Sequence, residues 1–313
     1  MPTWEISVIV LACLLVLLLL LWLLLSYKVF RTVFKKGTSQ KHVFKNKKLT
    51  LDFSPAQEWI EKKGYQTLQL TSSDGLLLKG KLVRDPSSHL FFLCCHGYRG
   101  NWHSHTLFAS DLNKHLEANF FFNDHRSCGD SEGSYLTMAY KEEKDLKQWI
   151  EEIVRLDKDA VIVLYGVSLG GSTVLRTLGD DLNSHVKAVI ADSSYFDAYE
   201  ECSFIVHKTL KGLTGLTMKG VNMYAKLILK INLADGSLQK SLEAAQIPVL
   251  LLHSEQDDFV PFSNLDRIYQ ALPATIRKTE KPFKEAPHAL VYYFNKEEYI
   301  QTVLAFLQAS QII

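Results

Sequence analysis

Apolar positions along this chain follow two periods in turn. Residues 67–83 hold two alternating runs around Ser73-Asp74-Gly75, which predicts an antiparallel hairpin at a sheet edge. Residues 90–95, 119–122, 161–165, 186–191 and 249–252 are strand-length apolar runs, and 90–95 has the unbroken character of a strand buried on both faces. Between them the spacing turns helical: over residues 141–155, Leu146, Trp149, Ile150, Ile153 and Val154 recur at i, i+3, i+4, i+7 and i+8. Such alternation predicts a parallel sheet covered by helices on both faces. It stops at residues 196–238, a stretch that predicts helices rich in Phe, Ile, Val, Leu and Met.

At the N-terminus the pattern has no polar face. Residues 6–25 carry no charge and are dominated by leucine, the length a helix needs to cross a hydrocarbon core. A cleaved signal peptide fits less well. The N-terminal flank carries Glu5 and no Lys or Arg, the apolar run is long, and no small-x-small site precedes Tyr27 and Lys28. The expectation is an uncleaved single-pass anchor. Residues 28–48 contain Lys28, Arg31, Lys35, Lys36, Lys41, Lys45, Lys47 and Lys48 with no Asp or Glu. By the positive-inside bias, the chain beyond the anchor is expected in the cytoplasm. The basic run is either a topology signal alone or a hold for anionic lipid headgroups.

Composition changes this picture little. The 313 residues, 47% hydrophobic and 22% charged, suit one large α/β domain with an apolar extension. Residues 1–48 hold eight of the 35 Lys and Arg and one of the 34 Asp and Glu, so the remainder carries 27 against 33. That mildly acidic balance argues against nucleic acid as a partner. The five cysteines have no spacing that predicts a disulfide frame or a zinc site.

The chemistry concentrates at strand ends. Gly166-Val167-Ser168-Leu169-Gly170 follows one apolar run and opens a helix, so Ser168 stands at a sharp strand-to-helix turn with small neighbours on either side. A hydroxyl there sits beside the free N–H groups of a helix start, which favour developing negative charge. Upstream, the strand at 90–95 ends in His96-Gly97-Tyr98-Arg99-Gly100-Asn101, where Gly97 lets the Tyr98 N–H join the Leu169 N–H at one substrate oxygen. His96 is expected to shape that loop. Downstream, the strand at 249–252 runs into His253-Ser254-Glu255-Gln256-Asp257-Asp258-Phe259-Val260-Pro261. Asp257 has the favoured offset for a carboxylate that orients a histidine, with Asp258 its close competitor and Glu255 third. His288 lies after the last predicted strand and before the C-terminal helix, the position of a general base. His103 and His105 lack further ligand spacing, so no metal is expected.

The order of His96-Gly97, Asp124-His125-Arg126-Ser127-Cys128-Gly129-Asp130-Ser131, Gly166-x-Ser168-x-Gly170, Asp257-x-x-Val260-Pro261 and His288 resembles the α/β-hydrolase superfamily. More narrowly, it is similar to the prolyl-oligopeptidase-like and serine-aminopeptidase-like hydrolases. The resemblance implies an α/β-hydrolase fold with a mostly parallel eight-stranded sheet, a Ser168, Asp257, His288 triad, and an oxyanion hole from the Tyr98 and Leu169 amides. The segment 124–131 is expected to be a loop beside the nucleophile, held by Asp124 or Arg126. Ser127 and Ser254 depart from the family pattern, standing where glycine is frequent.

The expected organisation is a transmembrane anchor at 1–27, a basic linker at 28–64, and a hydrolase domain at 65–313 with a small helical cap at 196–238. From residue 202 to 234 the cap has Lys208, Lys211, Lys219, Lys226 and Lys230 and no carboxylate, a character suited to an acyl chain and not to a peptide amine. The expectation is a membrane-anchored serine hydrolase without cofactor, esterase- or lipase-like, acting on an acyl ester, thioester, lipid or peptide. A peptidase, an acyltransferase and a non-catalytic membrane scaffold are the alternatives.

Overall fold

The structure, a computed structural model, describes residues 2–36, 52–179 and 181–313, so Lys41, Lys45, Lys47 and Lys48 of the basic run lie outside the described residues. In chain order the helices are α1 (Thr3–Phe34), α2 (Ser54–Lys63), α3 (Thr106–Leu112), α4 (Glu142–Leu156), α5 (Leu169–Arg176), α6 (Ala198–Leu210), α7 (Thr214–Tyr224), α8 (Gln239–Glu243), α9 (Ser263–Ala271), α10 (Val291–Phe294) and α11 (Lys296–Ala309). The chain forms two compact units. One is α1 with residues 198–236; the other is residues 36–197 with 237–313.

The larger unit is built on eight strands: β1 (Gln66–Thr71), β2 (Leu77–Val83), β3 (Leu90–Cys95), β4 (Asn119–Asn123), β5 (Val161–Val167), β6 (Val186–Asp192), β7 (Val249–Ser254) and β8 (Lys278–Phe283). They form one sheet in the order β1-β2-β4-β3-β5-β6-β7-β8. The β1-β2 hairpin and its edge onto β4 are antiparallel, and every pairing from β4 to β8 is parallel. This is the mostly parallel sheet that the apolar runs predict. Successive residues of a strand face opposite sides. Phe91 and Leu93 accordingly pack with Leu146 and Trp149 of α4, Leu175 of α5, Leu242 of α8 and Ile268 of α9. Phe92 and Cys94 pack with Phe108 of α3, Val291 of α10, and Tyr299 and Val303 of α11 on the other face. The two faces leave the parallel strands dry on both sides, as continuous apolar runs require.

In the smaller unit, residues 6–21 of α1 are exposed around the whole circumference. Farther along, Ser26, Phe30 and Phe34 are buried, an i, i+4, i+8 stripe. The helix thus continues seven residues past the expected end of the anchor at residue 27, because that stripe gives it a packing face beyond the apolar run. α2 likewise occupies sequence assigned to the linker; Pro55 in its first turn and Gly64 at φ 70° beyond its end mark its bounds. The insertion is helical, as its composition predicts. Asp197 and Ser237 form an antiparallel bridge at its base.

Candidate active site

β5 leads into Ser168, whose backbone adopts φ 57° and ψ −120°, a strained conformation for a residue with a side chain. The turn is fixed from two sides. The Ser168 N–H donates to the Asp192 carbonyl at the end of β6, 2.8 Å away. Gly170 lies against the Cys95 and His96 carbonyls, and Gly166 against Gly170, so a Cβ at either glycine would meet backbone. α5 starts at Leu169. Its first N–H groups have no partner inside the helix, and they sit at the serine.

His288 and Asp257 reach this serine from separate loops. His288 Nε2 lies 2.8 Å from Ser168 Oγ, and His288 Nδ1 lies 2.7 Å from Asp257 Oδ2. A carboxylate only accepts, so Nδ1 carries the ring proton and Nε2 presents its lone pair to the serine hydroxyl. Asp257 Oδ1 accepts the Phe259 and Val260 N–H groups, both at 2.9 Å. This turn is the physical content of the Asp-x-x-Val spacing. His253 completes the carboxylate's shell: its Nε2 lies 3.2 Å from Asp257 Oδ2 and 3.1 Å from the Val260 carbonyl, so it too carries a proton there. Burial opposes charge on Asp257, but hydrogen bonds from His253 and His288 outweigh it and hold the carboxyl well below the ordinary range. Asp258, its competitor in the sequence, instead lines a cavity in front of the serine. Glu255 is exposed.

That cavity has a volume of about 380 Å³. Its wall is largely aromatic, with Phe108, Tyr165, Phe259, Tyr292 and Tyr293, and Ser168, His288 and Tyr98 open onto it. Gly97 packs against the Val167 carbonyl and Ser168 Cβ, which brings the loop after β3 alongside the Ser168 turn. His96 shapes this loop: Nδ1 donates to the Gly97 carbonyl at 2.7 Å, and Nε2 accepts the His125 N–H at 3.0 Å. Burial lowers His96 to about 4 and His105 to about 3, so both are neutral near pH 7. Residues 202–234 of the expected cap lack carboxylates, yet Asp192 and Asp258, outside the insertion, stand in the cavity wall.

Two side chains carry roles that the sequence reading did not assign. Asp192 is buried at the end of β6, where its carboxyl accepts Ser193 Oγ–H at 2.8 Å and Tyr299 O–H at 3.0 Å. Burial pushes it up to about 6. Ser254, where glycine is frequent in the resembling families, donates to the Ala286 carbonyl at 2.6 Å and accepts the Ala286 N–H at 3.2 Å. It thereby ties the Asp257 loop to the His288 loop. The other departure, Ser127, takes the left-handed φ of 64° that glycine would favour, and its Oγ bonds the Tyr135 carbonyl at 2.8 Å. In the same loop Asp124 accepts the Trp102 and Asp130 N–H groups, while Arg126 forks onto Asp145 and Asp74.

A family model for the alpha/beta hydrolase fold matches residues 91–214. The chain has the α/β-hydrolase fold. Among solved members of this fold, an esterase of Pyrococcus furiosus superposes with a TM-score of 0.63 at 19% identity, over 83% of this chain and 97% of that one. The acylaminoacyl peptidase of Pyrococcus horikoshii superposes with a TM-score of 0.58 at 18% identity, over 80% of this chain and 43% of the peptidase. In sequence, the uncharacterized protein YqkD of Bacillus subtilis (strain 168) is 24% identical over 241 residues, 76% of this chain and 77% of YqkD. YfhR of Escherichia coli (strain K12), also uncharacterized, is 26% identical over 215 residues, 65% of this chain and 67% of YfhR. The matched α/β-hydrolase region holds Tyr98, Ser168 and Leu169 but neither Asp257 nor His288.

Proposed function

We propose that the protein is a membrane-anchored serine hydrolase that cleaves acyl esters or thioesters, with the hydrolase unit on the cytoplasmic side. The observation that carries this reading is the continuous relay from Asp257 through His288 to Ser168, at 2.7 and 2.8 Å, opening onto an aromatic cavity. Ser168 Oγ attacks the acyl carbon as its proton passes to His288 Nε2. The oxyanion is stabilised by the Tyr98 and Leu169 N–H groups, and the proton then goes to the departing alkoxide or thiolate as its bond to carbon breaks. Water deprotonated by His288 releases the acid and restores Ser168. Asp257 keeps the imidazole in the required tautomer throughout. The superposed esterase supports this substrate class, and the uncharged, leucine-rich stretch of α1 at residues 6–25 supports the anchor. The Lys and Arg excess after α1 supports the orientation.

Aminopeptidase activity is the second reading, favoured by the Asp258 carboxylate in the cavity wall and by the superposed acylaminoacyl peptidase. The test uses the full chain in detergent micelles with a fluorophosphonate probe, a series of p-nitrophenyl esters and a set of aminoacyl p-nitroanilides. Labelling and ester turnover that both vanish in Ser168→Ala support the proposal, and preference for the anilides moves it to the second reading. A folded protein that neither labels nor turns over any substrate rules both out.

A further inference from the structure

The insertion does not stand apart from α1. Trp22 Nε1–H donates to the Leu216 carbonyl at 2.9 Å, a Cβ on Gly220 would collide with Ser26 Oγ, and the Tyr224 ring lies 5.2 Å from Tyr27 and 6.0 Å from Phe30. Partners therefore advance together along both helices, so α7 runs parallel to α1 with its N-terminal end beside Trp22. That end faces back along the apolar stretch of α1. Residues 6–25 span about 30 Å at the α-helical rise, the thickness of a hydrocarbon core, so Trp22 belongs to the last turn of that length. Leu216, bonded to Trp22, is at the same depth. Both Leu213 and Leu216 are 54% exposed, an unusual state for two adjoining leucines at a helix start.

We propose that this end of the insertion is seated in the lipid bilayer. Leu213 and Leu216 enter the boundary of the acyl chains beside the last turn of the apolar stretch of α1, and Lys208, Lys211 and Lys219 hold anionic headgroups around them. The proposal rests on the reading of α1 as a membrane span and adds a second, independent point of insertion. Charge supports it: residues 202–234 carry five lysines and no carboxylate, complementary to an anionic surface. Depth supports it as well. Leu227, 60% exposed, lies past the end of α7, about two turns beyond the level of Ser26 and Gly220, and belongs to the headgroup zone or above it. Tyr27 and Tyr224 occupy the intermediate level, where amphipathic rings are favoured.

The full chain, with Cys13→Ala to remove the exposed thiol, is reconstituted into vesicles of phosphatidylcholine and phosphatidylglycerol. Single cysteines from Leu213→Cys, Leu216→Cys, Leu227→Cys, Leu17→Cys and Gln308→Cys carry an environment-sensitive fluorophore, quenched by nitroxide lipids or by aqueous iodide. Burying one leucine side chain favours the inserted state by about tenfold. The lipid-to-iodide quenching ratio at residues 213 and 216 is therefore expected to exceed that at residue 308 by roughly tenfold, and to exceed that at residue 227. Reversing the charge in Lys208→Glu, Lys211→Glu and Lys219→Glu should lower the ratio at residue 213 by about fivefold per lysine. If residues 213 and 216 respond to iodide as residue 308 does while residue 17 responds to lipid, the seating is wrong and the span stands. If residue 17 also responds to iodide, the span reading falls too. Self-quenching at residue 213 that disappears when the protein is diluted with lipid overturns the proposal in favour of contact between copies of the chain. A ratio unaffected by the three charge reversals overturns the headgroup part.

Discussion

Asp257 accepts from four donors, the Phe259 and Val260 N–H groups at one oxygen and the two imidazoles of His253 and His288 at the other. An amide in its place cannot accept at both oxygens. Its NH2 group, turned toward His288, would force the proton onto Nε2 and leave Ser168 facing a donor instead of a base. Asp257→Asn is therefore expected to lower kcat by about ten-thousandfold with little change in KM. Asp258 makes none of these contacts and stands on the cavity wall, so Asp258→Asn should leave kcat on neutral esters within a few-fold. If the aminopeptidase reading holds, Asp258→Asn should instead raise KM for substrates with a free amine. Steady-state kinetics on a p-nitrophenyl ester separates the two carboxylates, and equal losses from both variants would remove Asp257 from its role. The choice between neighbouring carboxylates was open in the sequence because either can follow a strand end. Only the turn onto Phe259 and Val260 decides which one faces the imidazole.

Among the elements, α5 depends most on a single missing side chain. It packs so closely on the end of β3 that a Cβ at Gly170 would enter the Cys95 and His96 carbonyls, and backbone cannot rotate aside. Gly170→Ala should cost about 3 kcal/mol by overpacking and displace the Ser168 turn, lowering both the thermal midpoint and fluorophosphonate labelling. Gly215, inside α7, has nothing within 4 Å of the same position, so Gly215→Ala should leave the midpoint unchanged or raise it. A Gly170→Ala protein that melts and labels like wild type would show that the helix has slack the geometry denies. The small residues around Ser168 were legible in the sequence for this reason, as were β1 to β7, whose alternating or continuous apolar runs have no other stable use; β8 was not, because Lys278–Phe283 holds no apolar run. α2 was not legible: of its ten residues only Ala56 is buried, so its apolar period is weak and its Pro and Gly punctuation carries the signal. The pairing of α1 with α7 was hidden more deeply. Trp22 and Leu216 are 194 residues apart, and the contact uses Trp, Tyr, Ser and Gly, none of which marks a partner in sequence.

For the molecule as a whole, the buried titratable groups under the site set the response of stability to pH. His96, His105 and His125 are held below their ordinary values, chiefly by burial. The unfolded chain takes up protons at these residues below about pH 6.5 while the folded one does not, so acidification through that range costs stability. Asp192 acts in the opposite sense. Its carboxyl titrates at about 6 in the folded protein. Between about pH 4 and 6 the folded state therefore holds a proton that the unfolded state has released, and stability from this group falls as pH rises. Over the whole window the effect is on the order of 3 kcal/mol. Asp257, held low, contributes stability above about pH 4 and loses it only at more acid pH, outside this window. Asp192→Asn keeps the shape and the pairing to Tyr299 but cannot titrate. Its stability should thus fall more steeply than that of wild type as pH drops from 6.5 to 4, because the partial compensation by Asp192 is gone. Urea unfolding at several pH values, followed by circular dichroism, reads the difference between the two proteins and cancels the shared histidines. Parallel curves would mean that Asp192 is already ionised at pH 4 in the folded state, and that its hydrogen bonds from Ser193 and Tyr299 outweigh its burial.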